Sequence, residues 1–432
     1  MKPFRIFVFI CLCLLLIGLV FWLFPREGVT IGDYVWHAPD VHEYLQPEGD
    51  TLVASNDTVC LLFLPAVERT ETSVYVLDSC KQDAIYRWLI PFYESLHEAR
   101  DSTIRVVHYG DSQIEGDRMT MVLRAALQAR FGGSGVGLVP LYQTIDSRTT
   151  EQSLLAGDGR RAIVPKQYLA YGSSSRRRDN HRYGPMGKVS VMDNTMVAGS
   201  EDLLLSLQTT RPYAFQQVRI VATKDSLIDL NDSTTRYTLH LKGKQDVYGL
   251  SMECQTGIYV DNVALRGCAG TIFTNIDSVV LQRYFSKTRT RLIIMQFGGN
   301  VVPYLTTRKQ VEQYAGRLRR QLRYMHRCAP EASILFVGPS DMLCQKDGQR
   351  QSYTILPILD AALRSVVEEE EAAYWSLYEA MGGAGSMQTW MQQGLAGKDG
   401  IHFTRQGADR AGAMLHDFIL LPLATEQACS ND

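Results

Sequence analysis

The C-terminal part of the chain alternates strand-like and helix-like hydrophobic patterns. Residues 291–297 form an apolar run that is hydrophobic on both faces, as in the central strand of a parallel sheet. A similar run over residues 104–108 leads into a helical pattern over residues 119–131. Further patterns of the same kind predict helices over 308–327, 355–373 and 407–421 and a strand over 333–338. Strands that alternate with helices predict an α/β fold, a doubly wound parallel sheet with right-handed crossovers.

A β-rich segment lies between the two parts of this pattern. The strand patterns in it are short, are separated by turn residues, and lie at 188–192, 203–207, 218–221 and 237–241. Several short strands at such spacing are typical of a β-sandwich. We therefore predict a β-sandwich at residues 146–261, inserted into a parallel-sheet domain made of residues 101–145 and 262–425. The preceding lead-in, residues 26–100, contains a helical pattern that Pro91 interrupts.

The N-terminus carries an unbroken apolar stretch over residues 6–24, preceded by Lys2 and Arg5. A helix of this length spans about 28 Å, close to the hydrocarbon thickness of a bilayer. The stretch ends in large residues, whereas a signal-peptide cleavage site needs small ones. We therefore predict a retained signal anchor over residues 1–25, with the N-terminus in the cytoplasm and the rest of the chain outside. A cleaved signal peptide is the alternative.

Composition excludes some classes of partner. The chain has 432 residues, of which 44 are basic and 46 acidic, so its formal net charge is -2. Nucleic-acid-binding proteins usually present a basic face, and we therefore expect no nucleic-acid partner. The cysteines outside the anchor form no C-x-x-C motif, so we expect no metal site. The glycine-rich stretch over residues 132–137 follows a helix instead of opening one and lacks G-K-[ST], so we expect no cofactor. Cys60 with Cys80, or Cys328 with Cys344, could form disulfides, and isolated buried thiols are the alternative.

Four blocks of residues at predicted strand ends carry candidate chemistry. Ser112, in Gly110-Asp111-Ser112, is a candidate nucleophile after the strand at 104–108. His402 is a candidate base, and Asp399, three residues before it, can bind its second ring nitrogen. An oxyanion needs directed donors, which the side chain of Asn300 and a backbone N–H within residues 266–271 can supply.

Together these blocks resemble the SGNH hydrolase superfamily, whose members order a GDS serine, a glycine, a G-x-N asparagine and a D-x-x-H pair along the chain. The resemblance implies a three-layer α/β/α fold and ester chemistry at an exposed site. It makes Ser112, His402 and Asp399 the catalytic residues, and Ser112, Gly270 and Asn300 the oxyanion hole. Two positions depart from the usual pattern. Gln113 stands where better-known members have leucine or histidine, and Asn300 is followed by two valines where many members carry an acid.

A closer resemblance is to bacterial peptidoglycan O-acetylesterases and related envelope acetyl-transfer proteins. These carry a sandwich like that of a carbohydrate-binding module at the position of the insertion, and they share the G-D-S-x-x-x-G-D and F-G-x-x-G stretches found here at residues 110–117 and 131–135. The resemblance implies an esterase that removes O-acetyl groups from a glycan, anchored in the bacterial inner membrane and facing the periplasm. Candidate substrate contacts are Gln113 and the three arginines Arg176, Arg177 and Arg178, which otherwise form a solvated loop.

Two other functions fit the same residues. An O-acetyltransferase would pass the acetyl group to a sugar hydroxyl and would need a membrane protein as acyl donor. A glycan-binding protein with an inactive catalytic domain is the third alternative, although such a chain has no reason to keep all four of Ser112, Asn300, Asp399 and His402.

Overall fold

A computed structural model describes residues 29–31, 34–36, 86–156, 165–172, 177, 182–192, 202–210, 212–242, 245–346 and 348–424. The predicted anchor, residues 1–25, and the candidate contacts Arg176 and Arg178 lie outside these ranges. Within the described ranges, no helix is both long enough and apolar enough to cross a bilayer. The anchor therefore stays a prediction.

The chain divides into two units, Met1–Ser73 and Val74–Asp432. In the first unit, strands β1 (Val29–Ile31) and β2 (Tyr34–Trp36) form an antiparallel pair. The described strands of the second unit are β3 (Thr103–Gly110), β4 (Gly137–Val139), β5 (Thr150–Ala156), β6 (Lys166–Leu169), β7 (Lys188–Met192), β8 (Asp202–Thr209), β9 (Phe215–Ala222), β10 (Ser226–Thr234), β11 (Arg236–Lys242), β12 (Gln245–Glu253), β13 (Gly257–Ala264), β14 (Thr290–Gln296), β15 (Ser333–Val337), β16 (Leu343–Lys346), β17 (Gln349–Ser352) and β18 (Ala373–Trp375). Its described α-helices are α1 (Ile90–Ser95), α2 (Thr120–Phe131), α3 (Ser278–Lys287), α4 (Arg308–Cys328), α5 (Leu356–Glu369), α6 (Leu377–Met381), α7 (Ser386–Gln392) and α8 (Arg405–Ala424).

Strands β13, β3, β14, β15 and β18 form a parallel sheet in that order. If the five strands of this sheet are numbered along the chain, their spatial order is 2-1-3-4-5. The order in which strands are added to the sheet changes direction between β3 and β14, and open α/β sheets bind ligands at such a switch point. The carboxyl ends of the strands around this point are level, because Gly110 pairs with Ala264 on one side and with Gln296 on the other. The segments that follow β3, β13 and β14 therefore start at one edge of the sheet.

Both faces of the parallel sheet are covered by helices. Along β3, Val107 and Tyr109 pack in an apolar cluster with side chains of α3, α4 and α5. Ile104 and Val106 point the other way, into a cluster with side chains of α2 and α8. Alternate residues of a strand thus pack into two separate cores, one on each face of the sheet. The predicted α/β fold with a parallel sheet is confirmed, and it has three layers, with helices on both sides of the sheet.

The remaining long strands form two antiparallel sheets. One has the order β10-β9-β12-β7-β6, with β4 also pairing with β12, and the other has the order β11-β8-β5. Both sheets contribute to one apolar core, in which Leu205 and Leu239 of the second sheet meet Val218 and Leu250 of the first. These strands run from residue 137 to residue 253, whereas the sequence-based boundaries of the insertion are 146 and 261.

Buried ion pairs join the antiparallel strands to the parallel sheet. Arg105 of β3 contacts Glu253 of β12 at 2.6 Å and Asp261 of β13 at 2.5 Å. Arg219 of β9 pairs with the other oxygen of Glu253 at 3.0 Å, and Tyr284 of α3 donates to Asp261 at 2.6 Å. Because Arg105, Glu253 and Asp261 are almost fully buried, the two parts of the unit depend on each other for charge compensation.

Several local predictions are corrected. Pro91 does not interrupt a helix but lies in the first turn of α1, where its missing N–H costs no hydrogen bond. The helix predicted over 355–373 ends at Glu369, and the chain then enters β18. Cys328 and Cys344 are free thiols and do not pair, while Cys60 and Cys80 lie outside the described residues.

Candidate active site

The segment after β3 turns sharply into a short 3₁₀ helical segment, Ser112–Asp117, which is kinked at Glu115 and Gly116. The carboxylate of Asp111 accepts a hydrogen bond from the backbone N–H of Gln113 at 3.0 Å and so caps that helix. Gly110 is required for space, because a Cβ there would lie 2.9 Å from the side chain of Ile114. The turn therefore presents Ser112 at the carboxyl edge of the parallel sheet.

The structure brings Ser112, His402 and Asp399 into one hydrogen-bonded chain. Ser112 Oγ lies 2.8 Å from His402 Nε2, and His402 Nδ1 lies 2.7 Å from Asp399 Oδ2. The other oxygen of Asp399 accepts from the backbone N–H groups of Ile401 at 2.9 Å and His402 at 3.0 Å. A serine, an imidazole and a carboxylate in this order can activate the hydroxyl for nucleophilic attack.

The pair of His402 and Asp399 lies near the surface, with side chains 39% and 48% exposed. Partial burial acts to raise the pKa of Asp399, but hydrogen bonds from the His402 ring and from two backbone N–H groups outweigh it and hold that pKa below its usual value. Asp399 therefore stays ionised at neutral pH, as a carboxylate that orients an imidazole must.

Gln113 lies beside the nucleophile, and its side-chain amide is bonded to the loop that carries His402. Its Nε2 donates to the carbonyl of Ile401 at 2.7 Å, and its Oε1 accepts from the N–H of Phe403 at 3.3 Å. With both ends of the amide engaged and the residue 8% exposed, Gln113 fastens the loop that carries His402. Since Gln113 also lines the cavity at Ser112, its role as a substrate contact stays a prediction.

Arg118 makes a second link between the same segments, which the sequence analysis missed. Its guanidinium donates to the carbonyl of Ser112 and, at 3.4 Å, to that of Phe403, while Nε donates to the carbonyl of Glu115 at 2.9 Å. No local pattern marks this link, because its contact with Phe403 joins positions 285 residues apart in the chain.

Asn300 lies at the end of β14, and the structure shows what holds it. Its amide nitrogen donates to Asp111 Oδ2 at 2.9 Å and to the carbonyl of Cys268 at 3.2 Å. Asp111 therefore supplies the acid that is missing from the positions after Asn300. Burial raises the pKa of Asp111 to about 6, although hydrogen bonds from the Gln113 N–H and the Asn300 amide and the nearby His402 act against this rise.

Gly270 does not take the predicted place at the site. It is buried, its N–H donates to Cys268 Sγ at 3.3 Å, and a Cβ on it would lie 2.7 Å from the ring of Phe297. Gly267, three residues earlier, lines the same cavity as Ser112 and Asn300, with open space where a Cβ would lie and a φ of +73°. Gly270 is thus not among the residues that line the cavity at Ser112, whereas Gly267 is.

The cavity at Ser112 has a volume of about 300 Å³. Its walls include Pro303, Pro339 and Met342, and Tyr304 stands at its rim with 77% of its surface exposed. Arg177, described among the three candidate arginines, does not line this cavity but a second one. Among the described residues, no cluster of three His, Cys, Asp or Glu side chains is arranged to hold a metal ion.

Residues 232–410 match the model of the GDSL-like lipase/acylhydrolase family. The match confirms the resemblance to the SGNH hydrolases for a range that includes Asn300, Asp399 and His402 and leaves out Ser112. A search of curated proteins gives no match.

Among solved structures, that of a peptidoglycan O-acetylesterase covers 79% of this chain and 98% of its own, with a TM-score of 0.63 and 21% identity. The periplasmic domain of a lipopolysaccharide acetyltransferase from Salmonella ser. Paratyphi A covers 38% of this chain and 73% of its own, with a TM-score of 0.27 and 13% identity. An acetyl xylan esterase covers 37% of this chain and 79% of its own, with a TM-score of 0.26 and 9% identity. The first of these likenesses establishes the fold, including the antiparallel sheets, since it extends over most of both chains.

Proposed function

We propose that this chain, an SGNH-type esterase whose residues 232–410 match the GDSL-like lipase/acylhydrolase family, removes O-acetyl groups from a glycan of the cell envelope. The observation that carries the proposal is the chain of short contacts from Ser112 through His402 to Asp399. The name of the solved peptidoglycan O-acetylesterase, whose fold extends over most of this chain, supports the choice of an acetylated glycan.

In the proposed mechanism, His402 Nε2 takes the proton of Ser112 Oγ, which attacks the acetyl carbonyl. The backbone N–H groups of Ser112 and Gly267 and the amide of Asn300 stabilise the oxyanion, and that amide turns toward it from its contact with Cys268. His402 then gives the proton to the sugar oxygen as it leaves. Water, deprotonated by the same ring, attacks the acetyl-serine and releases acetate, while Asp399 orients the imidazole.

Replacement of the nucleophile tests this proposal. Ser112→Ala should abolish acetate release from an acetylated glycan and from an aryl acetate, and should abolish labelling by a fluorophosphonate. The matched control is Ser365→Ala, which removes an exposed helix hydroxyl bonded only to Glu369 and should release acetate like the wild type. Unchanged acetate release by Ser112→Ala would overturn the assignment, and folded wild-type protein that takes no label would point to a glycan-binding protein.

The same assay distinguishes hydrolysis from transfer. If acetate appears on an added acceptor glycan and not in solution, the acyl-serine is resolved by a sugar hydroxyl, and the chain is an O-acetyltransferase. Removal of one oxyanion donor by Asn300→Ala should slow either reaction about 10²- to 10³-fold.

We also propose that the apolar stretch over residues 6–24 anchors the chain in the bacterial inner membrane, with the catalytic domain in the periplasm. Cell fractionation should then find the full-length chain in the membrane pellet after an alkaline wash. A chain that lacks this stretch and is recovered in the soluble periplasmic fraction would show a cleaved signal peptide instead.

A further inference from the structure

A second and larger cavity, of about 710 Å³, lies beside the Ser112 site. Its walls come from both parts of the unit, with Lys188 and Gln167 from the antiparallel strands and Asn262 and Ala264 from β13. Arg266 and Gly267 line this cavity and also the cavity at Ser112. A linear molecule bound at Ser112 can therefore continue past these two residues into the larger space.

The described side chains that line this cavity carry more positive than negative charges. Of the described residues that line it, four are cationic and two are anionic, namely Arg124, Arg177, Lys188, Arg266, Glu115 and Asp117. Arg124 and Asp117 form a buried pair at 2.5 Å. Arg266 reaches Glu115 at 3.5 Å, with its own side chain 70% exposed. Lys188 and Arg177 are left without a carboxylate partner among the described residues.

Lys188 lines the cavity from β7 and is partly buried, whereas the more deeply buried Arg124 is already paired with Asp117. Burial lowers the pKa of its ammonium to about 8, and the charge of Glu115 acts only partly against this. The ammonium is thus still mostly charged at neutral pH and has lost part of its hydration. A desolvated cation that faces a cavity gains from an anionic ligand, because charge-assisted hydrogen bonds are stronger than neutral ones.

We propose that this cavity is a second sugar-binding site, which takes the part of the glycan next to the acetylated sugar and binds a carboxylate on it through Lys188. The substrate class is then an acidic, carboxylate-bearing glycan rather than a neutral one. This inference rests on the proposed function, since the glycan reaches the cavity from the site at Ser112.

Binding to the full chain with the Ser112→Ala substitution tests the inference without catalysis. The probes are an O-acetylated oligosaccharide that bears carboxylates and the same oligosaccharide after its carboxylates are coupled to methylamine. Calorimetry should show that the amidated probe binds about 10- to 100-fold more weakly, which is the range for loss of one charge-assisted hydrogen bond. Adding Lys188→Met should weaken binding of the acidic probe by a similar factor and should leave the two probes nearly equal.

Two further variants serve as controls. Lys188→Arg keeps the charge and should bind the acidic probe within a few-fold of the parent, and Lys224→Met removes an exposed lysine outside the cavity and should not alter binding. Equal binding of the two probes to the parent would overturn the inference whatever the variants do. If the probes differ as expected but the wild-type chain releases no acetate, the proposed function fails and the acidic-glycan site stands.

Discussion

Gln113 donates a hydrogen bond of 2.7 Å from its side-chain amide to the carbonyl of Ile401, the residue before His402. The residue next to the nucleophile therefore holds the backbone next to the base. Since Gln113 also accepts from the N–H of Phe403, the loop is fixed on both sides of His402. The distance between Ser112 and His402 then depends on this contact as well as on Asp399.

Gln113→Leu should lower kcat for an aryl acetate by about 10- to 100-fold with a much smaller change in KM, because small displacements of a catalytic group are costly. Leucine fills a similar volume but cannot bond the two backbone groups. Steady-state kinetics, together with the thermal unfolding temperature, checks this. The control is Gln282→Leu, which removes a glutamine bonded to a backbone carbonyl at 3.5 Å on the distant helix α3. Wild-type kcat in Gln113→Leu would contradict the assigned role.

Tyr304 offers an exposed ring at the rim of the Ser112 cavity. Aromatic faces pack against the apolar faces of ligands, and such contacts contribute about 0.5–1.5 kcal/mol. Tyr304→Ala should therefore raise KM for the acetylated glycan about 2- to 10-fold, and it should raise KM for a small aryl acetate less. Tyr304→Phe keeps the ring and should behave like the wild type. An equal rise in KM in the phenylalanine and alanine variants would assign the effect to the Tyr304 hydroxyl and not to its ring.

The buried carboxyl of Asp111 predicts a pH dependence of stability. Its pKa of about 6 in the folded protein lies above the value near 4 of an aspartate in the unfolded chain. The unfolded chain thus loses this proton first, and the folded protein loses roughly 3 kcal/mol of stability as pH rises from about 4 to about 6, with no further loss above. Asp111→Asn cannot ionise and should lack this loss.

Denaturant unfolding at several pH values measures the effect. The free energy of unfolding of Asp111→Asn, taken relative to that of the wild type, should increase between pH 4 and pH 6 and then level off. A difference that stays constant with pH would mean that the pKa of Asp111 is the same in the folded protein as in the unfolded chain.

The ion pairs around Arg105 predict a large effect on stability far from the catalytic residues. Glu253→Gln removes a charge that two arginines share and leaves Arg105 buried with one carboxylate fewer. Breaking such a buried pair costs about 3–5 kcal/mol. Glu331→Gln breaks the pair with Arg291 at a side chain that is 73% exposed and should cost at most about 1 kcal/mol. Urea unfolding curves of both variants compare them, and equal losses would contradict the structural role of Glu253.

The sequence predicts those strands and helices whose buried residues form a regular hydrophobic pattern along the chain. Strand β14 and helix α4 lie within one or two residues of their predicted bounds, because a strand covered on both faces is apolar throughout and a long amphipathic helix repeats its pattern over many turns. Strand β18 is only three residues long and continues the apolar pattern of α5, so it could not be separated from that helix. Helix α3 was missed although its first residues follow Asp277, whose side chain caps it.

At the candidate site, too, some residues could be predicted from the sequence and others could not. Ser112, Asn300, Asp399 and His402 stand in short motifs, and the structure brings Ser112, Asp399 and His402 into contact. The role of Gln113 depends on a partner 288 residues away, and no local motif contains such information. Choosing between Gly267 and Gly270 required knowing which of them lies behind the ring of Phe297.

The sequence separation of 290 positions from Ser112 to His402 bears on how the protein acquires activity during translation. The strand that carries the nucleophile is made early, yet its two neighbours in the sheet, β13 and β14, leave the ribosome only after the whole β-rich insertion. Contacts of such long range form late and slowly in folding. A nascent chain is therefore inert toward esters until the loop with Asp399 and His402 has been synthesised and has docked on Gln113.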